Sequence, residues 1–406
     1  MGSRFAIVRL AAGALGGGPA WWRWVSVLAA GFALGVVAYL YQHHHGLAAT
    51  TLTDQVPWGA YIANFTYLVG MATAPVMVVV PGYVYGQKTL RPMVFAAECV
   101  ALSATLMALL FVVVDIEKPE RAWHLIPGVG VFNFPASMLA WDVVVLNGYL
   151  ALVLVVLGYS VVSRVRGTGP RPSVLTPLVL VTAGWAVVMH TVTAFLYAGF
   201  AGRPFWNNAV LAPRFLVSAF ATGVATLLLV GRAIERATET PVEDSARRLL
   251  ERILVVALGS DLFLLACQVF VELYSQAAEA VPMRYLFFGL RGHRLLVPWA
   301  WLGVACELGA FVFFLRPTRA PPKPASLDVA DLACGAALVG IWFGKGMSLV
   351  IPGFVPSQLG EMVEYRPSLV ETLVSLGIWC FGLLLLSVLV RIEHAAAREA
   401  RPREVA

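Results

Sequence analysis

Nine charged side chains and one histidine interrupt the long apolar stretches of this sequence: Glu98, Asp115, Asp142, Arg214, Asp261, Glu272, Glu307, Lys345 and Glu371, with His190. In a bilayer, a mid-membrane charge costs about 2.5–3.5 kcal/mol on insertion scales, so each needs a compensating role. Histidine titrates near neutrality when unperturbed, which makes His190 a proton acceptor and donor. A carboxylate placed opposite it takes a second proton. The pair suits a substrate that loses two protons as two electrons leave, such as a quinol, whose two ring oxygens each need a partner. His190 and Asp142 are the first candidates, and His124, in a polar connection, is the third. The structural alternative is a set of interhelical ion pairs, such as Arg214 with Glu272 or Asp142. Nine charges serving only as bridges is the less economical explanation.

Other redox chemistry finds few ligands. A bis-histidine haem needs two intramembrane histidines, and of the seven (His43, His44, His45, His124, His190, His293, His394) only His190 falls well inside an apolar run. The triple His43–His45 reads as a solvated turn rather than a metal site. Cys99, Cys267, Cys306, Cys334 and Cys380 all lie in apolar runs without a C-x-x-C pair. The expectation is therefore no haem, no iron–sulfur cluster and no metal held by this chain. Electrons must then pass to a partner.

The elements that position these residues are membrane helices. Of 406 residues, 59% are hydrophobic and 13% charged, against about 25% charged in soluble domains, and the mean hydropathy is +0.79. That excludes a soluble enzyme and a disordered chain. The net charge of +6 is spread between apolar runs, which sets topology and gives no reason to expect nucleic acid. A span takes roughly 20 apolar residues. The sequence predicts an all-α polytopic protein with spans at 22–41, 57–82, 92–115, 137–162, 173–197, 208–231, 250–273, 295–315, 327–349 and 368–391. The first, preceded by Arg4, Arg9, Gly13–Gly18 and Arg23, reads as a retained helix, not a cleaved signal. Of 29 Lys and Arg, 20 fall at one set of span ends, 7 at the other and 2 within spans. By the positive-inside rule both termini are cytoplasmic. The outward connections then carry Trp123, His124, Phe132, Asn133, Arg203, Phe205, Trp206, Arg291 and His293. The inward ones are a basic turn at Arg164–Arg166, a mixed-charge segment at 232–252 that could form a surface helix, and a proline-rich linker from Arg316 to Pro324. Most of the ionisable groups fall in the outer half, including Lys345 and Glu272 near outer ends; Asp261 and Glu307 fall near mid-membrane and Glu98 nearer the cytoplasm. That is the layout of an outer polar pocket with a proton route beneath it.

The stretch Asp115-Ile-Glu-Lys-Pro119-Glu-Arg121-Ala-Trp123-His124, with Asn133-Phe134 and Ser137-Met138-Leu-Ala-Trp141-Asp142, resembles the NrfD / polysulfide-reductase membrane-subunit family. His190-Thr-Val-Thr-Ala-Phe-Leu-Tyr197, Gly202-Arg203-Pro204-Phe205-Trp206, Ala212-Pro213-Arg214-Phe215, Lys345-Gly346 and Ile351-Pro352-Gly353-Phe354 through Glu364-Tyr365 look like its ten-helix HybB/DsrP branch. The resemblance covers about residues 50–390. It implies a quinone/quinol-binding membrane subunit of a multi-subunit respiratory oxidoreductase in a prokaryotic cytoplasmic membrane, inactive without its partners. It implies no prosthetic group, a periplasmic ferredoxin-like iron–sulfur subunit docked outside, and menaquinone ahead of ubiquinone as substrate. The implied architecture is two four-helix bundles, 57–197 and 208–349, with 22–41 and 368–391 peripheral. His190 and Asp142 carry the quinone role, then His124; Trp141 and Arg214 join them as quinone contacts. Asp261, Glu272, Glu307, Lys345 and Glu98 are the expected proton path. A secondary transporter is the alternative from another class, favoured if helices break mid-membrane in both halves; the proline breaks, at Ala74-Pro75 and Pro81-Gly82 among others, read as lying mainly near span ends. A membrane anchor without quinone is the third.

Overall fold

A computed structural model of the chain describes residues 16–126, 128–238, 242–275, 280–316, 328–357 and 360–400. Among the described residues, ten helices are long and apolar enough to cross a membrane: α1 (Pro19–Ala49), α2 (Ala60–Val84), α3 (Lys88–Asp115), α4 (Met138–Val165), α5 (Pro172–Ala198), α6 (Leu211–Arg236), α7 (Asp244–Ser275), α8 (Val297–Leu315), α9 (Val329–Phe354) and α10 (Leu369–Ile392). No strand occurs among the described residues. The protein is an all-helical, multi-pass membrane protein.

Most ends fall within a few residues of the expected ones, and three differences have physical causes. The segment 232–252 is not a separate surface helix. Helix continues from α6 to Thr238 and restarts in α7 at Asp244, with residues 239–241 outside the described ones. Arg232 bridges Glu235 at 3.1 Å and Asp331 at 3.4 Å, and Arg236 meets Asp331 at 2.8 Å, so the charges tie this helix end to α9. Helix α9 runs five residues past the expected 349, because Pro352-Gly353 turns the chain through a 3-10 step instead of ending the span. The connection between α7 and α8 contains a short helix, Ala280–Phe288. The linker beyond Arg316 and the segment 1–15 lie outside the described residues.

Two spans are interrupted, and not near their ends. In α2 the α-helix stops at Met71, turns through 72–75 with Pro75, and resumes toward a π-turn at Val80–Val84. A proline removes a donor and leaves a carbonyl unserved; here the Tyr149 hydroxyl donates to Ala72 O at 2.6 Å. In α9 a π-turn spans Trp342–Met347 and packs against α2. Such turns carry an extra residue per turn and are frequent at functional sites.

Around these two, α3, α4 and α5 follow one another from α2, while α6, α7, α8 and α9 form a closed sequence of neighbours; α2 and α5 both touch α6. Helices α1 and α10 pair and lie on the outside, α10 against α3 and α4. Their crossing needs glycine: a Cβ on Gly35 would stand 2.5 Å from Gly377 Cα, and such close approach is a common way for helices to associate where burial in lipid gives no hydrophobic drive. Helix α10 starts with a capping box, Ser368 N–H on Glu371 Oε2 at 2.8 Å and Glu371 N–H on Ser368 Oγ at 3.1 Å. Glu371 also accepts from the Tyr365 hydroxyl. Burial and the Glu371 charge hold that phenol above the usual tyrosine range. Glu371, one of the nine charges, therefore has a structural role.

Candidate functional site

Helix α5 presents a stripe at i, i+3 and i+7: His190, Thr193 and Tyr197, all fully buried. Spacing of this kind puts the three side chains on one face, and each reaches a different helix. His190 Nε2 lies 2.6 Å from the Phe215 carbonyl of α6 and 2.7 Å from Lys345 Nζ of α9. Lys345 Nζ donates to the same carbonyl at 3.0 Å and sits 4.5 Å above the Phe215 ring. Thr193 Oγ1 donates to Asp142 Oδ1 of α4 at 2.7 Å. The Tyr197 hydroxyl shares a hydrogen bond with Thr66 of α2. Nε2 carries the imidazole hydrogen when it serves the Phe215 carbonyl and is bare when it accepts from Lys345, so the two contacts belong to the two tautomers of one neutral ring. In both, Nδ1 is buried and without a partner among the described residues.

Lys345 is deeper than the sequence suggested. With α9 extended to Phe354, it lies nine residues inside the span, level with His190, eight residues from the end of α5 at Ala198. The π-turn then sets consecutive residues to opposite duties. Lys345 faces His190, while Gly344 faces a second cluster: a Cβ there would stand 3.2 Å from Glu307 Oε1 and 3.6 Å from Arg214 Nη2. The pair Arg214-Phe215 divides likewise, side chain to the second cluster and carbonyl to the first.

That second cluster is a polar ladder through α6, α7 and α8. Asn208 Nδ2 and Gln268 Nε2 both donate to Glu272 Oε1, at 2.9 and 2.8 Å. Arg214 Nη1 donates to Gln268 Oε1 at 3.2 Å and its Nε lies 3.4 Å from Asp261 Oδ1. Arg214 thus pairs with Asp261 and Gln268, not with Asp142, and reaches Glu272 only through Gln268. The geometry explains why: Asp261, Gln268 and Glu272 share one face of α7 at heptad-like spacing. Glu307 completes the cluster from α8, 2% exposed. A cavity of about 20 Å³ beside Arg214, Gln268, Glu307 and Ser348 has room for a water.

The remaining candidates stand apart. Glu98, fully buried in α3, has no hydrogen-bond partner for either oxygen among the described residues. His124 is exposed on a 3-10 turn, Pro119–Leu125, edge-on to Trp123; it is not brought to His190. Trp141 donates to Pro135 O at 2.9 Å and packs on Phe134, facing the connection and not the buried stripe. Sequence reasoning missed Thr193, Tyr197, Thr66 and Gln268; the i, i+3, i+7 spacing from His190 was the signal available for the first two.

Ten apolar spans with protonatable groups joined across helices at their centre define a polytopic membrane protein built around buried polar clusters. The family model for polysulphide reductase, NrfD, matches residues 48–355. The chain belongs to the NrfD family. It is similar to a selenate reductase subunit of Mesobacillus selenatarsenatis, 23% identical over 88% of this chain and 91% of the relative. It is also similar to a putative dimethyl sulfoxide reductase membrane subunit of Halobacterium salinarum, 24% identical over 93% and 92%. A shorter match is to the Hdr-like menaquinol oxidoreductase integral membrane subunit of Archaeoglobus fulgidus, 26% identical over 50% and 48%.

Proposed function

We propose that this chain is the quinone-handling membrane subunit of a multi-subunit oxidoreductase, exchanging electrons between a membrane quinone and an iron–sulfur partner. The observation that carries the reading is His190: a buried imidazole held at Nε2 by Phe215 and Lys345, with an unpartnered Nδ1. One turn away, Thr193 orients the Asp142 carboxylate. One quinol hydroxyl gives its proton to Nδ1, in the tautomer whose Nε2 hydrogen serves Phe215, and the other to Asp142, while Lys345 and the Phe215 carbonyl hold the ring still. The names of the relatives support the complex type, and one of them names menaquinol, which favours menaquinone as substrate.

The charge distribution supports cytoplasmic termini and an outer face formed by the longer connections. That face exposes Trp123, Ile126, Val129, Val131 and Phe134, an apolar patch suited to a docking partner. Asp261, Glu272, Glu307 and Arg214 form the proton ladder of this reading, and Glu98 a separate inward station. The two four-helix units, 57–197 and 208–349, meet where Lys345 joins α9 to α5 and α6.

The test is saturable binding of a quinol analogue to the purified protein, wild type against His190→Ala and Asp142→Asn. Loss in both variants is expected. Undiminished binding in both refutes the site.

A further inference from the structure

Helices α9 and α10 both flank α2, yet they do not pack against each other to any extent. Between them the flank of α2 is left open as a crevice of about 440 Å³, lined by Asn64, Tyr67, Leu338, Trp342, Ser375 and Trp379. The size falls within the range of ligand pockets, about 300–1,000 Å³. Lipid chains fill any apolar groove, so the polar groups decide what this one is for.

Two donors border it, and a third lies just beneath its surface. Tyr67 is only 3% exposed, and its hydroxyl has no hydrogen-bond partner among the described residues. Ser375 Oγ is buried and unpartnered as well, although a helical serine has the carbonyl four residues back within reach. Asn64 Oδ1 accepts from the indole N–H groups of both Trp342 and Trp379, each at 3.0 Å, and its Nδ2 donates once, to Ala60 O at 2.8 Å. One amide hydrogen remains. The two indoles are thereby fixed as flat walls on either side of a donor-lined floor. Leaving hydroxyls unsatisfied in a bilayer is costly, and a ligand carrying acceptors removes that cost.

Depth selects the ligand. At about 1.5 Å per residue, Asn64 and Tyr67 lie roughly 6 and 10 Å below the start of α2, and Ser375 roughly 9 Å below the start of α10. A phospholipid phosphate stays in the headgroup layer, outside the hydrocarbon core. A quinone carries its two ring oxygens into the hydrocarbon on a flat ring with an apolar tail. We propose that this crevice is a second, lateral site for a quinone ring, reached from the bilayer between α9 and α10 and separate from the pocket at His190. The ring stacks on Trp342 and Trp379, its oxygens accept from Tyr67 and from the Ser375 hydroxyl once that side chain turns outward, and the tail remains in lipid. The inference rests on the proposed function only for the choice of a quinone over other flat, acceptor-bearing amphiphiles.

The test uses the full chain in phosphatidylcholine nanodiscs and, as probe, an azido-naphthoquinone with a short prenyl tail. Photolabelled peptides are mapped by mass spectrometry. Labelling is expected on the peptides containing residues 64–71, 338–342 and 375–379. The double variant Tyr67→Phe/Ser375→Ala keeps the shape and removes both hydroxyls; two hydrogen bonds at about 0.5–1.5 kcal/mol each predict half-saturation at roughly tenfold higher probe concentration. Leu338→Trp, which fills the crevice without touching a hydroxyl, is expected to abolish the label. His190→Ala is expected to leave crevice labelling unchanged, so failure at His190 and failure here are read separately. The inference is overturned if the double variant labels like wild type, if unlabelled phosphatidylglycerol displaces the probe as well as unlabelled quinone does, or if no label appears on these peptides.

Discussion

If His190 and Lys345 act as one unit, their substitutions must be non-additive in a defined direction. Lys345→Met removes the contacts of 2.7 and 3.0 Å to His190 and Phe215 but leaves the 2.6 Å His190–Phe215 bond in place. No acceptor is orphaned and the volume is nearly kept, so stability is expected to change by less than about 1 kcal/mol. His190→Ala does more. It opens a cavity and leaves Lys345 Nζ only the Phe215 carbonyl, with roughly 1–3 kcal/mol for the unmet donor and a further 2 kcal/mol or so for the void. Adding Lys345→Met to His190→Ala removes the stranded amine and recovers the first of these. The expected coupling is therefore about 1–3 kcal/mol, with the double variant more stable than His190→Ala alone. Thermal unfolding in nanodiscs measures this. Quinol turnover in the assembled oxidoreductase supplies the second axis. Each single variant is expected to lose about 10²-fold or more, and the double no more than the worse single. Additive losses on both axes, or Lys345→Met turning over like wild type, would refute the unit.

Asp142→Asn keeps an oxygen for Thr193 to donate to but cannot take a proton; unaltered folding with about 10²-fold slower turnover is expected in the same assay. Arg214→Met strands Asp261 and frees Gln268, so a loss of about 3–5 kcal/mol is expected, seen as poor recovery of folded protein, with Arg214→Lys partly restoring it. Gly35→Val drives a side chain into the Gly377 backbone; looser pairing of α1 with α10 is expected as faster proteolysis at the α1 end, with turnover in the assembled complex unchanged.

The spans were legible because one length scale governs them: the hydrocarbon thickness is written directly into runs of apolar residues. Their contents were partly legible too, since a charge in such a run stands out whatever it does. What it does depends on partners far away in sequence. His190 and Lys345 are 155 residues apart, and Arg214 meets Asp261 across 47; no local pattern holds those distances. Glu371 shows the converse, because Ser368 three residues before it is a local capping signature and was readable as a cap. The π-turn was illegible for another reason. Trp342-Phe-Gly-Lys-Gly-Met347 carries two glycines, which weaken an α-helix without specifying what replaces it, and the wider turn is seen only once α9 is packed on α2. Lys345 read as lying at the outer edge for a separate reason: the span was expected to end at 349, five residues short of Phe354.

The interruptions in α2 and α9 are the one feature that favours a transporter, since alternating access uses broken helices in both halves. Their surroundings argue the other way. The carbonyl released in α2, that of Ala72, is met by Tyr149, and the break in α9 packs on the unbroken first half of α2: a Cβ on Gly346 would lie 3.5 Å from Ala63 Cβ. That separation is at the near edge of disulfide geometry, about 3.5–4.5 Å between Cβ atoms. The pair Ala63→Cys/Gly346→Cys, in a background with Cys99, Cys267, Cys306, Cys334 and Cys380 replaced by alanine, therefore permits a bond that pins α2 to α9 where a rocking motion would have to part them. Electron exchange through a fixed site needs no such motion, so the oxidised variant is expected to turn quinol over at the rate of its reduced form, within about twofold. A transporter locked in this way stops. Turnover that vanishes on oxidation and returns with reductant would mean that the breaks move and that the fixed-site reading of His190, Lys345 and Asp142 is wrong.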